Sequence, residues 1–556
     1  MTRRPWCVFL PVLTIACVSA PPGTGGESVR ALAVAESSFA ELRALRDRYE
    51  VSSAAGRTAT PEGVPLAALV ARHDSLRPRV VARLEAVDSL ALGAGDRRAL
   101  AAMRRATTSE LTSLGGRHDP AQPAAPDCRY DPLALAGSPS DLETLRARIY
   151  ACYGRAQSHV MVEGDTLDRL TVLGGLARTG DPSRRRAMFL ALDPVWRSVN
   201  GGNDAASPYR RLLVLERATR GGGQPWAAQA RASGIPPDSL EGWLVAILEA
   251  WRDGMAAGEV EPWDWYYEVG RASRALSPRI GLEALREINA RVYRGLGADL
   301  DSVGVRYDLA PRAGKTPVAF CTFGTRPSRR GGRWTGAEPW VFATYRSGGL
   351  DNLNELLHES GHAVHIAAIR TRPALADWPD SDPFTEAVAE FAALDVYEPA
   401  WQQRWLGDSV PLADGLRARY GGILMDVAWA VFELRMQHAP EADPNQVWTA
   451  LTHEYLRIRP HPEWSWWAMR GQLVDAPGYM MNYAAGAVLI AALRARVREL
   501  RGPFAEGDPG WYGWVAPRLF RFGLERPTRE VLEEFLGGPV SPAAILADLR
   551  RAPGGS

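Results

Sequence analysis

The sequence predicts a mostly α-helical protein with one small β-sheet, and three observations carry that reading. From residue 28 to about residue 300, apolar residues recur at helical spacing, as in SFAELRALRDRYE, VVARLEAVDSLALG and DRRALAAMRRA. Residues 302–350 change character: SVGVRYDL, PVAFCTF and WVFATYR are short β-prone runs separated by Gly, Pro and Arg. Helical patterning then resumes at Asp351 and holds to the end. A chain of 556 residues, 46% apolar and with 19 Trp, has ample material for a large core and for two to four domain-sized units. Its 65 Lys and Arg nearly cancel its 64 Asp and Glu. A balanced surface of this kind gives no electrostatic reason to expect a nucleic-acid partner.

The first twenty residues, MTRRPWCVFLPVLTIACVSA, run from Arg3 and Arg4 through an apolar stretch to small residues. That order predicts a secretory signal peptide cleaved after Ala20, and the apolar stretch is too short to span a membrane. LTIAC offers an alternative, a lipoprotein signal ending at a lipid-anchored Cys17, with Thr14 where Leu is usual. The division that follows is a signal over 1–20, a tether over 21–27, an N-terminal helical region over 28–300 and a catalytic region over 301–556. Export to the periplasm or beyond is the expected fate.

Within the helical region, Ser140 and Glu143 form a capping-box pattern ahead of DLETLRARIYACYGRA. RHDPAQPAAPD (117–127) and RGGGQP (220–225) read as loops, and no fixed-period repeat is visible. Of five cysteines, Cys128 and Cys152 are candidates for a disulfide in an oxidising compartment, with two separate thiols as the alternative. No CxxC pair is present, so a cysteine-based zinc site is not expected.

The chemistry concentrates in NELLHESGHAVHIAAIR, residues 354–370. On a helix His358 and His362 share a face, and Glu359 sits beside them. HExxH is the pattern in which zinc activates a water and the Glu takes its proton. A catalytic zinc wants a third protein ligand and an open position. Position 365 is His and 368 is Ala, which rules out the HExxHxxGxxH arrangement. The third ligand is therefore sought on the next helix, FTEAVAEFAALDVYEP, which Asp382 would cap with Pro383 in its first turn. Glu386 is the candidate ligand. Glu390, one turn on, is placed to accept a hydrogen bond from a ligand imidazole. His365 is read as a packing or supporting histidine.

HESGHAVH followed by TEAVAE resembles the HEFGH and FVE segments of the thimet oligopeptidase and oligoendopeptidase family. EPWDWYYEVG (261–270), PRAGKTPVAFC (311–321), PWVFATY (339–345) and GYMMNY (478–483) resemble further segments of that family. The resemblance thus covers about 261 to 490, and the N-terminal half only through its helical character. The spacing to Glu386 also resembles angiotensin-converting-enzyme-type peptidyl dipeptidases. Both relatives imply a two-lobed helical fold with one zinc ion at the bottom of a deep channel that admits short peptides. They further imply that Tyr483, or Tyr479 as second choice, donates to the oxyanion, and that the strand at Phe342 and Ala343 binds substrate by strand addition. One departure stands out: both relatives carry a His about ten residues before this tyrosine, where this chain has Gln472, Leu473 and Val474.

The expected function is an exported, monomeric zinc peptidase acting on short oligopeptides, with Glu359 as general base. The alternatives are a peptidyl dipeptidase, for which Arg470 is a candidate carboxylate partner, and a non-catalytic peptide-binding protein with structural zinc. An intact Glu359 argues against the last, because a structural site has no use for a base.

Overall fold

The computed structural model describes residues 24–551 apart from 110, 112, 113, 115–127, 130–140, 205, 222, 255–257, 313, 317, 331 and 332. The signal peptide, Cys17 and Ser140 of the capping box lie outside the described residues. Among the described residues no helix is long and apolar enough to cross a membrane.

Helices dominate, as the spacing predicts. Helix α1 (Thr24–Ala54) takes in Thr24 to Glu27, residues read as tether, and at 31 residues is about 46 Å long. With α2 (Leu66–Glu85) and α3 (Ala94–Ser109) it forms a unit with its own apolar core. Leu32, Phe39 and Leu42 of α1 meet Leu69, Leu76 and Val80 of α2 and Leu100 and Met103 of α3. A second, much larger core joins nearly everything after residue 141. It holds Leu276 and Leu285 together with Leu356 and Leu489, so it crosses residue 300 unbroken. Its densest part is aromatic: Trp429 stacks on Trp448 at 5.1 Å, and Trp448 meets Trp466 edge-on at 4.8 Å. Cys128 and Cys152 form a disulfide, and Cys321 is a half-buried free thiol.

Ion pairs supply much of the joint between the three-helix unit and the larger body. Arg326 pairs with Asp47 of α1 at 2.8 Å and with Asp377 at 2.9 Å, and Arg43 of α1 also binds Asp377. Arg372 reaches Glu36 on α1 and Asp96 on α3, the latter at 2.6 Å.

Strands β1 (Val160–Val162) and β2 (Asp165–Leu167) make a small hairpin. The three predicted runs become β3 (Arg306–Asp308), β4 (Phe320–Thr325) and, after the hairpin of β5 (Ser328–Arg330) and β6 (Arg333–Thr335), β7 (Glu338–Phe342). They form one sheet in the order β3-β7-β4, with β3 parallel and β4 antiparallel to β7. The strand in the middle is therefore the last in sequence.

From β7 the chain enters the histidine helix (Leu350–Ala368), whose Leu353, Leu356 and Leu357 are fully buried. The carboxylate helix (Asp382–Ala393) packs directly on it. The N-cap is Ser381 rather than Asp382: its hydroxyl accepts the Phe384 N–H at 3.2 Å, which leaves Asp382 as the first helical residue. Behind the carboxylate helix runs the tyrosine helix (Met480–Arg501), braced by the long helix (Leu412–His438). Buried Arg494 ties the tyrosine helix to the carboxylate helix by donating to the Phe391 carbonyl and to Asp395 just beyond that helix.

Gly361, next to His362 on the histidine helix, lies against the backbone of the carboxylate helix. A Cβ there would stand 2.3 Å from the Ala389 carbonyl oxygen, a backbone atom that cannot swing away. Gly361→Ala is expected to cost about 2 kcal/mol or more of stability, measurable by denaturant unfolding, because one of the two helices must shift.

Candidate active site

Side chains from the two packed helices converge at one point. His358 and His362 stand one turn apart with ring centroids 4.7 Å apart. Glu386 comes from the first turns of the carboxylate helix, its Oε2 3.6 Å from His358 Nε2. One donor atom from each of the three lies within 4.8 Å of the other two. One turn beyond Glu386, Glu390 accepts a hydrogen bond from His358 Nδ1 at 2.8 Å. With Nδ1 donating to Glu390, it is Nε2 that faces Glu386.

The electrostatics are those of an acid-rich, partly buried cluster. Burial pushes the Glu359 carboxyl up to about 7, against the pull of His358, with Glu386 and Glu355 pushing the same way as burial. Burial likewise raises Glu386. Around His358 burial opposes the charge, but Glu390, then Glu359 and Glu386, outweigh it and raise its pKa to about 10. His362 goes the other way, lowered by burial and then by its neighbour His358. Glu359 Oε2 and His362 Nδ1 are buried with no hydrogen-bond partner among the described residues. Two imidazoles and a carboxylate, with further carboxylates around them and orphaned polar atoms between, suit a divalent ion that takes mixed N and O donors. Zinc is the ordinary choice for that set.

The site opens into a cavity of about 440 Å³ that Tyr479, Tyr483, Asp382, Trp378 and Phe320 also line. The two tyrosine rings meet edge-on at 5.4 Å. Gln472, the first of the three residues in the stretch where the resemblance implies a His, donates to the Tyr483 hydroxyl oxygen at 3.4 Å. A donor on that oxygen leaves the Tyr483 hydrogen free to point elsewhere. Arg470 lies under the Tyr483 and Trp429 rings, paired with Asp426.

No protein-family model and no curated protein matches this chain. Solved structures do. Trypanosoma cruzi metallocarboxypeptidase 1 superposes with a TM-score of 0.54 at 16% identity, over 94% of this chain and 99% of that one. An M32 carboxypeptidase from Deinococcus radiodurans R1 gives 0.53 at 15%, over 94% and 98%. PZ peptidase A, solved with an inhibitor, gives 0.55 at 15%, over 95% and 97%. What is shared is the fold, from end to end. That is the mostly helical metallopeptidase architecture implied by the resemblance of HESGHAVH and TEAVAE.

One expectation is corrected. Phe342 and Ala343 do not offer a strand edge. Phe342 is paired with Asp308 on one side and Phe320 on the other, and both residues are fully buried. The Ala343 N–H donates to Asp308, and its carbonyl accepts from buried Lys315. The sheet's edge strands are β3 and β4, and Phe320 and Cys321 of β4 line the site cavity. The sequence marked PVAFCTF as a strand, but alternation along a strand says nothing about its place in the sheet. Trp378 was also missed. Its ring meets His362 at 5.6 Å and His365 at 5.8 Å, edge-on. His365 itself is boxed in by Trp378, Phe384 and Phe520, with no hydrogen-bond partner for either ring nitrogen among the described residues. Burial alone lowers its pKa to about 3, so it is a neutral packing group.

Glu390→Gln removes the charged acceptor from His358 and should weaken zinc binding about 10- to 100-fold, read by competition with a chromophoric chelator. The fold should be kept, since Glu390 is only partly buried.

Proposed function

We propose that the protein is a zinc-dependent peptidase acting on short, extended peptides. The observation that carries this reading is the convergence of His358, His362 and Glu386 with a buried, unpartnered Glu359 in an open cavity. The three would hold the ion, and Glu390 would orient His358. When bound, zinc supplies Lewis acidity toward a water and the scissile carbonyl. Glu359 takes the proton of the attacking water and later hands it to the leaving amine. Buried and free of any hydrogen-bond partner on Oε2 among the described residues, Glu359 is placed to take a proton and give it back. Tyr483, backed by Gln472, and Tyr479 beside it both donate to the developing oxyanion. The substrate backbone adds to the outer edge of β4.

Export is part of the proposal. The Arg3-Arg4, apolar and small-residue order of the N-terminus supports it, as does the Cys128–Cys152 disulfide, a bond of oxidising compartments. Anchoring through a lipidated Cys17 is the variant of that fate, and a monomer holding one zinc ion is the assembly proposed.

A second reading, cleavage near the substrate's C-terminus, has its own support. The neighbouring cavity, which shares Trp378 and Asp382 with the site, is lined by Arg46 of α1 and Arg105 of α3 as well as by Arg43 and Arg326 of the ion-paired joint. Two of the structurally similar proteins are named carboxypeptidases.

Glu359→Gln should retain zinc and lose peptide turnover by roughly 10²–10⁴-fold, and unchanged turnover would refute the mechanism. Activity should disappear with a chelator and return with zinc. Comparing a free-acid peptide with its C-terminal amide separates the two readings: equal rates favour internal cleavage, and strong preference for the acid favours cleavage from the C-terminus.

A further inference from the structure

The two cavity tyrosines sit at the very start of the tyrosine helix, where the first backbone N–H groups have no partner within the helix. Tyr479 is the N-cap residue, and no side chain of the cap itself satisfies them. The partner comes from another element. Glu433 of the long helix, 2% exposed, accepts the Gly478 N–H on Oε1 at 2.7 Å and the Met480 N–H on Oε2 at 3.1 Å. One carboxylate therefore holds the backbone on both sides of Tyr479.

The turn is gripped from its other face as well. Gly478 has φ +86°, the left-handed region that favours glycine. A Cβ there would stand 3.0 Å from the Trp226 backbone nitrogen and 3.1 Å from Pro225.

Among the described residues no ion pair reaches Glu433. Its acidic neighbour Glu216, on the helix Pro208–Arg220, is bonded by Arg146 at 2.8 Å and Gln437 at 3.1 Å. Burial pushes the Glu433 carboxyl up to about 8, against the pull of the two backbone N–H groups it accepts, so this position is costly for an acid. A Ser or Asn at the cap would satisfy an N–H at less cost, so capping alone does not account for it.

We propose that Glu433 is a positioning residue for the peptidase reaction: it fixes the Gly478–Met480 turn so that the Tyr479 hydroxyl stands in the metal cavity. This rests on the peptidase reading above. Glu433 acts through Tyr479 and touches neither substrate nor metal.

The test is a double-mutant cycle on the zinc-loaded full chain. Glu433→Gln keeps the shape but sets an NH₂ group against one of the two backbone N–H groups. It should leave zinc content unchanged and lower kcat about 10- to 100-fold with little change in KM. It should also speed amide hydrogen exchange in a peptide spanning 478–480. Placed on Tyr479→Phe, the same change should add less than about twofold, because the group it positions is already gone. Effects that multiply, a Tyr479→Phe variant of normal kcat, or unchanged exchange would each overturn the proposal. If Glu433→Gln does not fold, Gly478→Ala strains the same turn from the opposite side and must reproduce the kcat loss; a normal kcat there overturns it too. A wild-type protein that cleaves no peptide with zinc refutes the peptidase reading and takes this proposal with it. Active wild type with unaffected variants refutes the positioning role alone.

Discussion

Gly361 lets the histidine helix come down on the backbone of the carboxylate helix at Ala389, and the spacing of the metal group follows from that contact. His358 and His362 flank the glycine on one helix, while Glu386 and Glu390 flank Ala389 on the other. With the helices this close, a histidine and a glutamate side chain meet without either being fully extended across a gap. A bulkier residue at 361 would widen the space between the ligands. The second helix also supplies Glu390, so one packing contact sets both the donor group and the hydrogen bond from His358 Nδ1.

Polar groups hold the surroundings in a graded way. Around the metal group the carboxylates outnumber the local cations, and burial pushes Glu359 and Glu386 up. Further out, at the joint with α1 and α3, the opposite holds. Asp377 faces two arginines and is lowered to about 2 despite its burial, and Arg372 is shared between Glu36 and Asp96. Unpaired charge is thus concentrated where a dication would compensate it, and paired charge where two bodies must stay joined.

How much of this was legible in the sequence depended on the range of the interaction. The helical class, the three strands and the histidine helix follow from local periodicity, and the structure contains each. The pairing of His358 with Glu390 could be anticipated because both partners lie on regular helices, where a turn of 3.6 residues fixes which side chains share a face. The position of β7 inside the sheet could not, since strand order is a property of the whole chain and Phe342 has the same pattern whether central or at an edge. Glu433 lay beyond reach for the same reason. It is 45 residues from Gly478, and nothing in the long helix distinguishes it from an ordinary buried acid. The Cys128–Cys152 alternative was likewise open until the two residues were brought together.

Under the proposed function, the place of β4 at the edge of its sheet bears on which peptides are taken. A strand edge presents alternating N–H and C=O groups, which every peptide has in common, so it reads the extension of a chain rather than the letters along it. A segment already in a helix or a sheet has those groups occupied and gains nothing by docking. Discrimination at this edge would therefore fall on how freely a chain can straighten. Prolines that remove an N–H from the register would be felt more than a change of side chain pointing into solvent.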